Sequence, residues 1–277
     1  MGSEMCIRDR LRYLSTYPES LSAGYFTGGL SAVGRSADDI YAACYEQLRA
    51  KSLEYYKRFP GDRVRFAELA ALAKKGEIAT PSGDVVCPSR LRSLGHVLGA
   101  SGGAEKLHYL LEYPHTSRAF RHDLAELLPY GGRNPLYAVI HESSYADGVV
   151  TDWSAARTLP DDFREDPTLL TGEHVMPEWF DTDQELRPWK EVADLIANHP
   201  WPKLYDPDVL RTAEVPCAAA VYHDDAYVPR KFSLETAALL PQMHAWVTTE
   251  YEHNGSNASG GAVLDRLIKL AKGEIVR

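Results

Sequence analysis

Val215-Pro216-Cys217-Ala218-Ala219-Ala220-Val221-Tyr222 is an unbroken apolar run of the length and composition of a strand buried on both faces. A helical pattern follows around Leu234 to Leu240, then a strand at Ala245-Trp246-Val247-Thr248-Thr249, then a helix from Ala262 to Ala271. Strand, helix, strand, helix predicts an α/β fold with a parallel sheet. Near the other end, Ala23-Gly24-Tyr25-Phe26-Thr27 reads as a further short strand closed by Gly28-Gly29, and Leu11 to Pro18 as the end of a helix.

The chain between these pieces has a helical period. Ile40, Cys44 and Leu48 fall at i, i+4 and i+8, and Phe66, Leu69, Ala70 and Ala73 repeat the spacing, with Pro60, Pro88, Pro114 and Pro129 as punctuation. A looser helical region runs from Asn134 to about Asn198, broken at Pro160-Asp161-Asp162 and Asp166-Pro167. The expected organisation is an N-terminal remnant of an α/β core at 11–34, a large inserted helical cap at 35–200, and the C-terminal part of the core at 201–277. Residues 1–10 stand apart. Met5-Cys6-Ile7-Arg8-Asp9-Arg10 resembles the conceptual translation of a sequencing adapter, so the fold is expected to start near Leu11.

Composition narrows the function. A net charge of −9 and the lack of a clustered basic stretch exclude a nucleic-acid partner and suit a cationic substrate. No run approaches the roughly 18 apolar residues of a membrane span. Cys6, Cys44, Cys87 and Cys217 are scattered without a C-x-x-C pair, which predicts reduced thiols and a cytoplasmic location. No H-E-x-x-H or comparable ligand spacing occurs, so neither a metal nor an organic cofactor is expected.

Two residues carry chemistry by position. Asp225 follows the strand ending at Tyr222, and His253 follows the strand ending near Thr249, so both lie on loops at the carboxyl ends of parallel strands, where catalytic groups meet in such sheets. An acid after one late strand and a histidine after the next is the order of a hydrolase triad on a parallel sheet. Histidine takes a nucleophile's proton as general base, and a buried carboxylate fixes its tautomer.

Tyr25-Phe26-Thr27-Gly28-Gly29-Leu30, Leu107-His108-Tyr109-Leu110-Leu111-Glu112, the Asp225 loop and Glu250-Tyr251-Glu252-His253-Asn254-Gly255 together resemble the proline iminopeptidases, serine hydrolases of the α/β-hydrolase fold. The resemblance runs from about Leu11 to the C-terminus. It implies a prolyl aminopeptidase acting on peptides with N-terminal proline, and a partial α/β-hydrolase core bearing the cap. It also assigns to Glu142, in Val139-Ile140-His141-Glu142-Ser143-Ser144-Tyr145, and Glu173, in Gly172-Glu173-His174-Val175, the task of pairing the substrate's charged imino group. A buried secondary ammonium needs such pairing, since its desolvation costs several kcal/mol. Ser256-Asn257 after the histidine loop and Ala226 beside the acid depart from the family pattern.

The larger departure is that no Gly-x-Ser-x-Gly elbow and no His-Gly-Gly oxyanion loop precede these segments. The expectation is a fragment without its nucleophile, inactive and aggregation-prone through its exposed strand edge. Gly99-Ala100-Ser101-Gly102-Gly103 matches the elbow pattern, but the helical spacing before it argues for a turn between helices. Two rival readings stay open: an α/β-hydrolase acting on a neutral ester or epoxide, which has no use for paired buried carboxylates, and a non-catalytic helical interaction module, which has no use for the α/β return after Asp206.

Overall fold

All six residues of β2 (Cys217–Tyr222) are buried. Strands covered on both faces read as continuous apolar runs, and β2 lies in the middle of a three-stranded sheet between β1 (Gly24–Phe26) and β3 (Met243–Thr248). Both pairings are parallel, with Gly24 opposite Cys217 and Cys217 opposite Met243. β1 and β3 are the two edges of this sheet among the described residues. This computed structural model describes residues 3–131 and 134–276, so residues 1 and 2 of the N-terminal stretch lie outside the described residues. Among the described residues no helix is long and apolar enough to cross a membrane.

The chain forms two units. One comprises Met1–Ser36, Ser144–Val149 and Pro200–Arg277 and holds the sheet; the other comprises Ala37–Ser143 and Val150–His199 and is helical, with one isolated bridge between Ala79 and Val85. The short piece 144–149 joins the first unit through hydrogen bonds. Asp147 accepts from the Leu204 amide at 2.6 Å, and the Gly148 amide donates to the Pro202 carbonyl at 3.1 Å.

In the sheet unit, the helix Ala262–Ala271 buries Val263, Leu267 and Leu270 in one cluster with Ala218, Ala220 and Tyr222 of β2. These positions recur at i, i+4 and i+7, the stripe of an amphipathic helix. The helix Arg230–Ala237 starts directly after Pro229, four residues before the start expected from sequence. Its Ser233 and Thr236 hydroxyls accept the Leu30 and Val33 amides at 3.1 and 3.2 Å, docking the segment that leaves β1. At the N-terminus the helix Ser3–Leu14 begins upstream of Leu11, and Ile7 is buried together with Leu11 and Leu14. That apolar i, i+4, i+7 stripe explains why ordered structure starts earlier than expected.

Two of the helical unit's apolar clusters can be traced among the described residues. One gathers Tyr55, Phe66, Leu69, Leu91, Leu107 and Phe120; the other Tyr130, Val139, Val175, Trp179, Phe180 and Leu186. A polar node ties three helices at the first cluster. Asp62, in the opening turn of Pro60–Lys74, accepts from the hydroxyl of Tyr55 on Ala37–Arg58 at 2.5 Å, and its Oδ2 lies 2.9 Å from Nδ1 of His108 on Gly103–Glu112. Its other oxygen accepts from Arg65 at 3.1 Å. The predicted helix through Leu91, Leu94, Val97 and Leu98 splits into Pro88–Arg92 and a 3-10 segment Ser93–Gly99. The spacing of three between Leu91, Leu94 and Val97 is the period of the tighter helix.

Candidate active site

Asp225 sits on the turn that follows β2, with 1% of its surface exposed. Its Oδ1 accepts the amides of Tyr227 at 2.8 Å and Val228 at 3.0 Å, so the loop backbone fixes the carboxylate's orientation. Oδ2 lies 2.6 Å from Nδ1 of His253, on the turn that follows β3. A carboxylate can only accept, so Nδ1 carries the proton and the lone pair of the neutral ring belongs to Nε2. Buried carboxylate, oriented imidazole and basic Nε2 form an arrangement able to take a proton from a nucleophile.

The ring is held on its faces and its far edge. Tyr227 packs edge-on against it, with ring centroids 5.1 Å apart. A Cβ on Gly28 would come within 3.1 Å of Cε1 and 3.3 Å of Nε2, so a side chain there would press on the working edge of the ring. That loop is pinned by Tyr222, whose hydroxyl donates to the Thr27 carbonyl at 2.8 Å. Gly255 in turn leaves room for Tyr222: a Cβ there would stand 2.5 Å from the phenol oxygen. Gly255→Ala is therefore expected to cost about 1 to 3 kcal/mol of stability and to break the Tyr222–Thr27 bond. Urea denaturation measures the first, and a change below about 0.5 kcal/mol would show that the turn relaxes freely.

Glu142 and Glu173 both lie in the helical unit. Glu142, 6% exposed in the 3-10 turn Glu142–Tyr145, accepts the Ala155 amide on Oε2 at 3.2 Å. Its Oε1 is buried without a hydrogen-bond partner, and the residue lines a small apolar cavity with Val139, Trp153, Val175 and Ile196. Glu173 stands at the apex of a tight turn closed by the His174 amide bonding the Gly172 carbonyl at 2.8 Å. Its Oε2 lies 3.2 Å from Nε2 of His141. The Tyr41 hydroxyl is pushed well above its ordinary pKa, first by burial and then by charges that include both Glu142 and Glu173.

The structure thus joins Asp225 to His253 in one unit and places Glu142 and Glu173 in the other. Ser101 is an exposed turn residue between the 3-10 segment Ser93–Gly99 and the helix Gly103–Glu112, with no strand before it. Sequence reading passed over Tyr222, Tyr41 and the two histidines, although His141 directly precedes Glu142 and His174 directly follows Glu173. Among the described residues no three or more His, Cys, Asp or Glu side chains converge as a metal-binding group.

No protein-family model matches the chain. It is 38% identical over 274 residues to a proline iminopeptidase of Aeromonas sobria, a match covering 94% of this chain and 63% of that relative. It is 24% identical over 278 residues to proline iminopeptidase aneH of Aspergillus aculeatus, covering 96% of this chain and 62% of that relative. The chain therefore spans a little under two thirds of the length of these curated relatives.

Proposed function

We propose that this chain belongs to a prolyl aminopeptidase of the α/β-hydrolase fold, releasing N-terminal proline from peptides by a serine-hydrolase mechanism. The observation that carries the reading is the 2.6 Å contact between His253 Nδ1 and Asp225, made by loops that follow two neighbouring parallel strands. The similarity to two proteins named proline iminopeptidase supports the substrate class. In this reading the helical unit is the cap inserted into the hydrolase core. A cytoplasmic site of action belongs to the same proposal.

The geometry supports a role for each residue. Asp225 holds His253 in the tautomer with a free Nε2, which accepts the proton of a serine hydroxyl as that oxygen attacks the prolyl carbonyl. The same nitrogen then returns the proton to the departing amine. Ser101 lacks the preceding strand that a nucleophile elbow requires, so the serine is assigned upstream of Leu11. Sequencing the source DNA ahead of the Leu11 codon tests this, and an in-frame Gly-x-Ser-x-Gly after an apolar run is the expected result.

Glu142 and Glu173 receive the substrate's secondary ammonium. The buried, unpartnered Oε1 of Glu142 supports this, because a carboxylate oxygen shielded from water is stable only when a cation or donor meets it. Glu142→Gln is expected to weaken binding of L-prolinamide about 100-fold, with no effect on N-acetyl-L-prolinamide, as titration calorimetry would read. Equal affinities for the two proteins would favour a neutral ester or epoxide as substrate.

A further inference from the structure

His141 is fully buried beside Glu142 in sequence, yet its contacts lead to Glu173. Nε2 lies 3.2 Å from Glu173 Oε2, and Nδ1 lies 3.5 Å from the Tyr41 hydroxyl. The two contacts fit one proton arrangement of the neutral ring. A carboxylate offers only lone pairs, so the nitrogen facing it must carry the hydrogen. In the neutral ring Nδ1 is then the acceptor, and the Tyr41 phenol, kept protonated by burial, is the donor that suits it.

The surroundings hold the ring in place. Tyr130 and Tyr137 pack against it with centroids 5.4 and 5.3 Å away, the latter edge-on. His174 anchors the far side of the Glu173 turn: its Nδ1 accepts the Gly172 amide at 3.3 Å, and its ring packs on Tyr45 and Tyr41 at 4.1 and 5.2 Å. Burial, followed by the neighbouring His141 and Arg92, lowers the pKa of His174 to about 3, so it stays neutral and adds no competing cation.

We propose that His141 is a positioning residue of the substrate-ammonium site: it donates from Nε2 to Glu173, is fixed in that tautomer by Tyr41, and holds Glu173 in one orientation for the incoming cation. The proposal rests on the reading that Glu173 receives a prolyl ammonium group. No bond is made or broken by His141. Its effect is on the affinity for a charged N-terminus, whereas the proton transfer at His253 is untouched.

The test joins a spectroscopic and a binding measurement on the whole chain. Two-bond ¹⁵N–¹H correlation should show His141 as the neutral Nε2–H tautomer, and an Nδ1–H tautomer would overturn the proposal outright. Calorimetry with L-prolinamide should show about a 10-fold loss in His141→Ala and recovery to within about 3-fold in His141→Gln, whose side-chain amide can present an N–H where Nε2 stood. Tyr41→Phe should leave the fold intact, populate both tautomers and weaken binding several-fold. If Glu173→Gln loses affinity while His141→Ala binds like the wild type, the positioning role is wrong and the site stands. Binding indifferent to Glu173→Gln overturns both. Should His141→Ala fail to fold, Tyr41→Phe decides, and an unchanged tautomer with unchanged affinity counts against the proposal.

Discussion

Asp225→Asn is expected to lower kcat/KM for release of proline from an L-prolyl arylamide by roughly 10⁴-fold, with the Kd of L-prolinamide unchanged. The assay uses the chain extended by the upstream segment proposed above to carry the serine. The size of the effect follows from how the carboxylate is held. Oδ1 accepts two backbone amides, from Tyr227 and Val228, and only a carbonyl oxygen can take that place in asparagine. The NH₂ group is thereby forced into the Oδ2 position against His253, where it donates to Nδ1. The ring must then carry its proton on Nε2, the nitrogen that should accept one. Loss of the downfield Nδ1 proton in the NMR spectrum would accompany the loss of rate. A fall of less than about 10-fold would mean that His253 does not act as the base.

Asp62→Ala is expected to destabilise the helical unit by about 3 to 5 kcal/mol, read as a lower urea midpoint. Asp62 is 1% exposed and accepts from Tyr55 and Arg65, with His108 Nδ1 also in reach, so its removal takes partners from groups on three helices at once. The Tyr55 hydroxyl would be left buried without an acceptor, which costs more than the net worth of the bond itself. His108 has further support, being stacked on Phe59 with centroids 4.1 Å apart, so Asp62→Asn, which keeps an acceptor, should cost less than half as much. A change below about 1 kcal/mol in the alanine variant would show that the three helices hold together by their apolar cluster alone.

The parts of the molecule that could be read from sequence are those fixed by local pattern. β2 and the last helix announce themselves through an unbroken apolar run and an i, i+4, i+7 stripe. Asp225 and His253 could be picked out because each follows such a strand. What escaped reading depends on distant partners. Thr27 and Tyr222 meet across 195 residues and Tyr41 and His141 across 100, and neither pair leaves a trace in local spacing. The cation-binding role proposed for Glu142 came from resemblance alone, since nothing in the sequence around it tells one glutamate from the others in the chain. The break at Ser93 was hidden for another reason: spacings of three fit both an α-helix stripe and a 3-10 turn, and only packing chooses.

Parallel pairing of β1 with β2 has a cost in time during synthesis. Gly24 leaves the ribosome roughly 190 residues ahead of its partner Cys217, an interval of roughly 10 to 40 s at ordinary elongation rates. The helical unit is made in that interval and is rich in local contacts, so it can condense first and shorten the effective loop that β1 and β2 must close. Until then β1 has not met β2. At three residues, Gly24–Phe26 is too short to recruit another chain with much force, and a brief β1 is the form of that strand best suited to waiting.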